Sequence, residues 1–178
     1  VVSGVFETEA VFGPGEANET TLTSTGERDS FVARFEADGD LTWVSKAGGT
    51  GVFDTAVDVA SFPNGDCVLI AKSAEAMTFG EGDDSITLVP GGRIDVFVVR
   101  YDASGDVLWG EVAGGTEDPA DASYPYAVGA FPEGACVVVG EVNGSITFGR
   151  GGALEVTIDA LGDDADVFIA QYMTDGWK

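Results

Sequence analysis

Thirty-one aspartates and glutamates stand against eight lysines and arginines in this 178-residue chain, and there is no histidine. Without an imidazole, Ser-His-Asp and Cys-His arrangements are excluded within the chain. Carboxylate pairs could serve glycoside hydrolysis, and acids are abundant. However, Asp29, Asp95 and Asp166 each open the same kind of run: Asp29-Ser30-Phe31, Asp95-Val96-Phe97 and Asp166-Val167-Phe168. A catalytic residue should break such a recurrence, and these three keep it. The expectation is that each caps a turn by accepting backbone N–H groups. No catalytic residue is assigned, and the chain reads as a non-enzyme.

Other acids gather in loops, at Asp38-Gly39-Asp40, Glu81-Gly82-Asp83-Asp84, Glu117-Asp118-Pro119-Ala120-Asp121 and Gly162-Asp163-Asp164-Ala165-Asp166. Calcium needs 6–8 oxygens from a folded-back loop, and none of these runs fits the twelve-residue EF-hand pattern. Solvated turns account for them. The best calcium candidates are Asp163, Asp164 and Asp166, and no other cofactor is implied. Cys67 and Cys136 follow Asn64-Gly65-Asp66 and Glu133-Gly134-Ala135. Two cysteines without histidine make a poor zinc site, and equivalent positions in neighbouring units sit too far apart for a disulfide. Buried free thiols are expected. Gly13-Pro14-Gly15 and Gly149-Arg150-Gly151-Gly152 open no helix and lack a Lys-Ser/Thr partner, which rules out a phosphate cradle.

One segment carries a binding signal. Between Gly115 and Val128 the chain holds three residues more than the matching stretch before it, and it contains Tyr124-Pro125-Tyr126. Exposed Tyr124 and Tyr126, flanked by Asp118 and Asp121, could stack on a sugar or hold a basic peptide. The plainer alternative is that both rings pack over the structure beneath.

An internal repeat must position all of these residues. Asp29 to Trp43 returns as Asp95 to Trp109, and a shorter copy runs from Asp166 to Gly176. Phe12-Gly13, Phe79-Gly80 and Phe148-Gly149 recur at intervals of 67 and 69 residues. Trp43 and Trp109 are each followed by Gly-Gly-Thr, at Gly48 to Thr50 and Gly114 to Thr116. The period is therefore about 66 to 71 residues. One unit reads as four short strands: Ala56 to Phe62, Cys67 to Ala71, Asp95 to Tyr101 and Val107 to Val112. The third places Val96, Val98 and Arg100 on one face and Phe97, Val99 and Tyr101 on the other. Asp102-Ala103-Ser104-Gly105 makes a hairpin turn. Helical periodicity is absent from every longer segment, so the chain is all-β.

Four antiparallel strands in tandem are the sequence form of a β-propeller blade. Trp43 and Trp109 would then wedge between neighbouring sheets near the outer strands. The chain resembles the bacterial β-propeller repeat family, the seven-bladed-propeller type of secreted and surface proteins. The resemblance rests on the Asp95 to Tyr101 strand, the Asp102 to Gly105 turn, Leu108-Trp109, Gly114-Gly115, Ala127 to Ala130, Pro132 to Gly134 and Val137 to Gly140. It implies a fold and says almost nothing about function.

In this alignment Val1 corresponds to Val68 and Val137, so about two and two-thirds blades are expected. Residues 1–47 would form a partial blade with strands two to four, 48–113 a complete blade, and 114–178 a partial blade with strands one to three. Open blade faces expose apolar patches. The implied partners are therefore the remaining blades, from the same longer chain or from other copies. A net charge of -23 repels phosphate backbones and excludes nucleic acid. No stretch reaches the ~18 apolar residues a membrane helix needs, so no membrane insertion is expected. The surface leaves room for a carbohydrate or basic protein partner. The leading expectation is a non-enzymatic scaffold, extracellular or at the cell surface, mediating protein interaction or assembly. The alternatives are a carbohydrate- or peptide-binding module that uses the Tyr124–Tyr126 loop, and a non-catalytic part of a larger hydrolase or lyase.

Overall fold

A computed structural model of the chain describes residues 1–52, 54–115, 121–162 and 164–177. Among these residues the structure is all-β, and helix is confined to one 3-10 turn at Gly82–Asp84. The strands are β1 (Val2–Phe6), β2 (Glu9–Phe12), β3 (Thr20–Thr23), β4 (Asp29–Phe35), β5 (Leu41–Gly48), β6 (Thr55–Ser61), β7 (Cys67–Ser73) and β8 (Met77–Phe79). They continue with β9 (Ile86–Leu88), β10 (Asp95–Tyr101), β11 (Val107–Ala113), β12 (Ala122–Ala130), β13 (Cys136–Asn143), β14 (Ser145–Phe148), β15 (Val156–Asp159) and β16 (Asp166–Tyr172).

The strands form several antiparallel sheets, none of them closed. The middle sheet has the order β11-β10-β7-β6, the four strands expected from residues 56–112. β7 and β10 are almost entirely buried, which is why their sequences, Cys67-Val68-Leu69-Ile70-Ala71 and Val96-Phe97-Val98-Val99, are nearly continuous in apolar residues. The preceding sheet runs β1-β4-β5-β8-β9 and the following one β12-β13-β16.

Each unit also contains a hairpin that the four-strand reading lacked, inserted between its second and third strands: β2–β3, β8–β9 and β14–β15. β8–β9 does not join its own unit's sheet. It pairs with β5 of the preceding sheet, Ala47 opposite Phe79 and Gly48 opposite Thr78. β14 repeats this one period later through a bridge between Gly114 and Thr147, whose N–H and C=O groups bond both ways. The hairpin strands are three or four residues long, too short for alternation to show in the sequence.

Two apolar cores lie on either face of the middle sheet. Phe97, Val99, Tyr101 and Leu69 pack with Val32, Ala47 and Trp43 of the preceding sheet. Val68, Ile70, Val96 and Val98 pack with Val138, Phe168 and Tyr172 of the following one. This is the two-faced split expected for Asp95 to Tyr101. The tight turns also share one geometry: Gly39, Gly65, Gly105 and Gly134 have φ of 102°, 93°, 93° and 93°, the left-handed region that glycine adopts without strain.

Candidate functional site

Three recurring side chains carry the contact between sheets. Trp43 stacks on Tyr101 at 6.2 Å and donates its indole N–H to the Ala103 carbonyl at 3.0 Å. Sixty-six residues on, Trp109 does the same, stacking on Tyr172 at 6.1 Å and donating to the Thr174 carbonyl at 2.8 Å. Each tryptophan thus reaches the hairpin turn of the next sheet, the wedge expected of it. Arg34 and Arg100 form the third recurring contact. Arg34 donates to the Gly65 carbonyl. Arg100 donates to the Gly134 carbonyl at 2.7 Å and pairs with the Asp66 carboxylate at 2.8 Å. Its guanidinium also lies 4.1 Å from the Phe62 ring centroid. A fork of fixed donors on a flat cation suits this task, because it meets a carbonyl, a carboxylate and a ring at once.

The recurring aspartates accept backbone N–H groups, as the capping expectation has it. Asp95 takes three, from Gly91 at 2.7 Å, Gly92 at 3.1 Å and Gly115 at 3.1 Å. Asp29 takes the Thr25 N–H at 2.8 Å, with the Lys46 ammonium 3.8 Å away. Asp166 takes the Leu161 N–H at 2.6 Å. The Gly-Gly pairs after each tryptophan now have a cause. A Cβ on Gly114 would come within 1.9 Å of the Asp95 carboxyl carbon, and one on Gly48 within 2.4 Å of that of Asp29. Burial raises Asp95 above its ordinary value against the pull of its three N–H donors. Asp54 is raised too, by burial first, although the Ser73 hydroxyl and Gly49 N–H bond it.

The sequence-derived binding residues divide. Tyr126 is 58% exposed and donates its hydroxyl to the Glu141 carboxylate, a bond that holds the phenol proton and raises its pKa. Tyr124 is half-buried, with the Lys72 ammonium 5.2 Å from its ring centroid. The two rings therefore have different partners. Asp121 is buried and accepts the Ser145 N–H at 3.0 Å, so its carboxylate is used internally. Asp118 lies outside the described residues, as does Asp163 of the calcium trio. Asp164 is exposed and Asp166 is half-buried with its carboxylate on the Leu161 N–H. Among the described residues no three acidic, cysteine or histidine side chains converge as metal ligands do. Cys67 and Cys136 are free and buried. Burial pushes their thiols up to about 12 and about 11, which keeps them protonated and unreactive at neutral pH.

Sequence reasoning missed Glu141, the acceptor of the Tyr126 hydroxyl. Its signal is a charge in an otherwise apolar strand, Val137-Val138-Val139-Gly140-Glu141. An open cleft of about 660 Å³ separates β9, β11 and the 149–154 loop. Its polar groups bond internally: Glu111 accepts the Trp177 backbone N–H, the Trp177 indole donates to the Leu154 carbonyl, and Arg150 donates to the Gly114 carbonyl. No protein-family model matches the chain, and no curated protein matches it.

Proposed function

We propose that the chain is a segment of a β-propeller, two partial blades flanking a whole one, that serves as a non-enzymatic scaffold for protein interaction or assembly at the cell surface or outside the cell. The observation that carries this reading is the middle sheet, buried on both faces by neighbours that grip it through the same tryptophan, arginine and turn positions. Stacked sheets of one repeated kind are what a propeller is made of. Polar groups in the contacts described above are spent on one another, which supports a structural role over turnover. A second reading, a carbohydrate- or peptide-binding module, is favoured by Tyr126. Its exposed ring sits beside a carboxylate, an arrangement suited to stacking on a sugar or pairing with a basic side chain.

One experiment separates the two. Fluorescently labelled protein is applied to glycan and basic-peptide arrays alongside a Tyr126→Ala variant. The scaffold reading expects no signal that depends on Tyr126, whereas the binding-module reading expects a signal that the variant loses. A crystal structure in which the three sheets lie parallel, rather than fanned about a common axis, would overturn the propeller itself.

A further inference from the structure

We infer that the cleft between β9, β11 and the 149–154 loop takes an extended basic peptide of a partner protein, added as a strand to the outer edge of β11. The inference rests on the scaffold reading above and names its partner by chemistry. The ladder shows which backbone groups are on offer. Gly114 exchanges both of its backbone bonds with Thr147, so its N–H and C=O point away from β10. β11 pairs with β10 without interruption from Trp109 to Ala113. In an antiparallel strand every second residue faces the same neighbour. Val112 and Gly110 therefore present their N–H and C=O groups on the edge that carries Gly114, and both line the cleft. Among the described residues no strand pairs with β11 there, and the sheet order ends on it.

At the preceding junction the same edge is taken up. Gly48 pairs with Thr78, and Gly80 donates its N–H to the Lys46 carbonyl at 3.2 Å. The Lys46 ammonium crosses to the Thr23 carbonyl at 3.1 Å and the Thr25 hydroxyl at 2.8 Å. An edge lysine is a common guard against an added strand. Lys46 lies opposite Phe31 as Val112 lies opposite Phe97, so valine holds the place of the lysine one repeat on. The floor and the β9 wall of the cleft belong to the middle unit, which has a neighbour on each side, so the free edge does not arise from where the chain starts or stops. A strand laid along Gly110 and Val112 points alternate side chains to opposite walls. Val89 is 68% exposed and Leu154 57%, which offers apolar contact on both sides. Glu111 shares the lining, while Arg150 is turned to the Gly114 carbonyl. With a net charge of -23, that setting favours lysine over glutamate between the apolar residues of the peptide.

The probe is a fluorescent peptide of about eight residues in which lysine alternates with valine, followed by anisotropy in about 0.05 M salt. Saturable binding by about 100 µM protein is expected, and a glutamate–valine peptide should not bind. Val89→Lys should weaken the affinity about tenfold, with an unchanged melting temperature because the site is exposed. Val112→Pro removes an edge N–H that β10 does not use and should abolish binding. Two further peptides carry N-methyl groups on the lysine or on the valine nitrogens. A strand shows only one edge to β11, so one of the two should bind and the other fail. No saturable binding to the wild type, binding unchanged by Val89→Lys, or equal behaviour of the two methylated peptides overturns the docking. Equal binding of the glutamate–valine peptide overturns the charge preference. A crystal structure in which the sheets do not stack on one another removes the scaffold reading instead, whatever the peptide does.

Discussion

At the scale of single residues, Asp95 and Asp29 occupy one repeat position but carry unequal loads. Among the described residues Asp95 holds three backbone N–H groups, whereas Asp29 holds one, and its Oδ1 is buried with no hydrogen-bond partner. Removing an acceptor strands its donors, and each buried orphan costs about 1–3 kcal/mol. Because burial already disfavours the Asp95 charge, the net loss is taken at the lower end for each donor. Asp95→Ala should cost roughly 3 kcal/mol in urea unfolding and Asp29→Ala roughly 1 kcal/mol. Equal costs, or the reverse order, would refute the capping account. The recurrence of these aspartates was legible in the sequence because a repeated residue answers to a repeated geometry. Asp121 was not, since it lies in a stretch where three extra residues break the period and nothing in the repeat says which way its carboxylate turns.

At the scale of elements, the long strands could be read because each packs two distinct faces, and Val96 to Tyr101 separates them cleanly. The hairpins could not. Met77–Phe79 and Ile86–Leu88 are fixed by pairing with a strand some thirty residues earlier in the chain, and a local pattern cannot encode a distant partner. The link between sheets was equally hidden: Arg100 reads as one polar residue on an apolar face until Asp66 and the Gly134 carbonyl appear beside it. The Asp66 side chain is 11% exposed and that of Arg100 is 3%, so the pair is shielded from water. Breaking such a pair leaves a buried charge without its counterpart, at about 3–5 kcal/mol. Arg100→Ala should therefore destabilise by roughly 3 kcal/mol. Asp66→Asn in the same chain should restore part of that, a coupling of about 0.5–3 kcal/mol in a double-mutant cycle. Strictly additive losses would show that Arg100 acts through its ring and carbonyl contacts instead.

For the whole molecule, charge decides the response to pH. Burial raises Asp54 and Asp95 above their ordinary 3.8, with Asp29 and Glu75 adding to the shift at Asp54. A carboxyl raised on folding takes up its proton more readily in the folded chain than in the unfolded one. Its contribution to stability is complete below 3.8 and is lost as pH rises through the folded value. Protonation of surface acids acts in the same direction, because a net charge of -23 opposes compactness at neutral pH. The melting temperature should therefore rise as pH falls from 7 to about 5. The two sources respond differently to salt. Screening removes the surface repulsion over about a Debye length but leaves a desolvated carboxyl untouched. In high salt the remaining slope belongs to the buried acids, and Asp54→Asn, which carries no titrating proton, should reduce it further. A melting temperature that falls steadily from pH 7 to 5 would overturn this account.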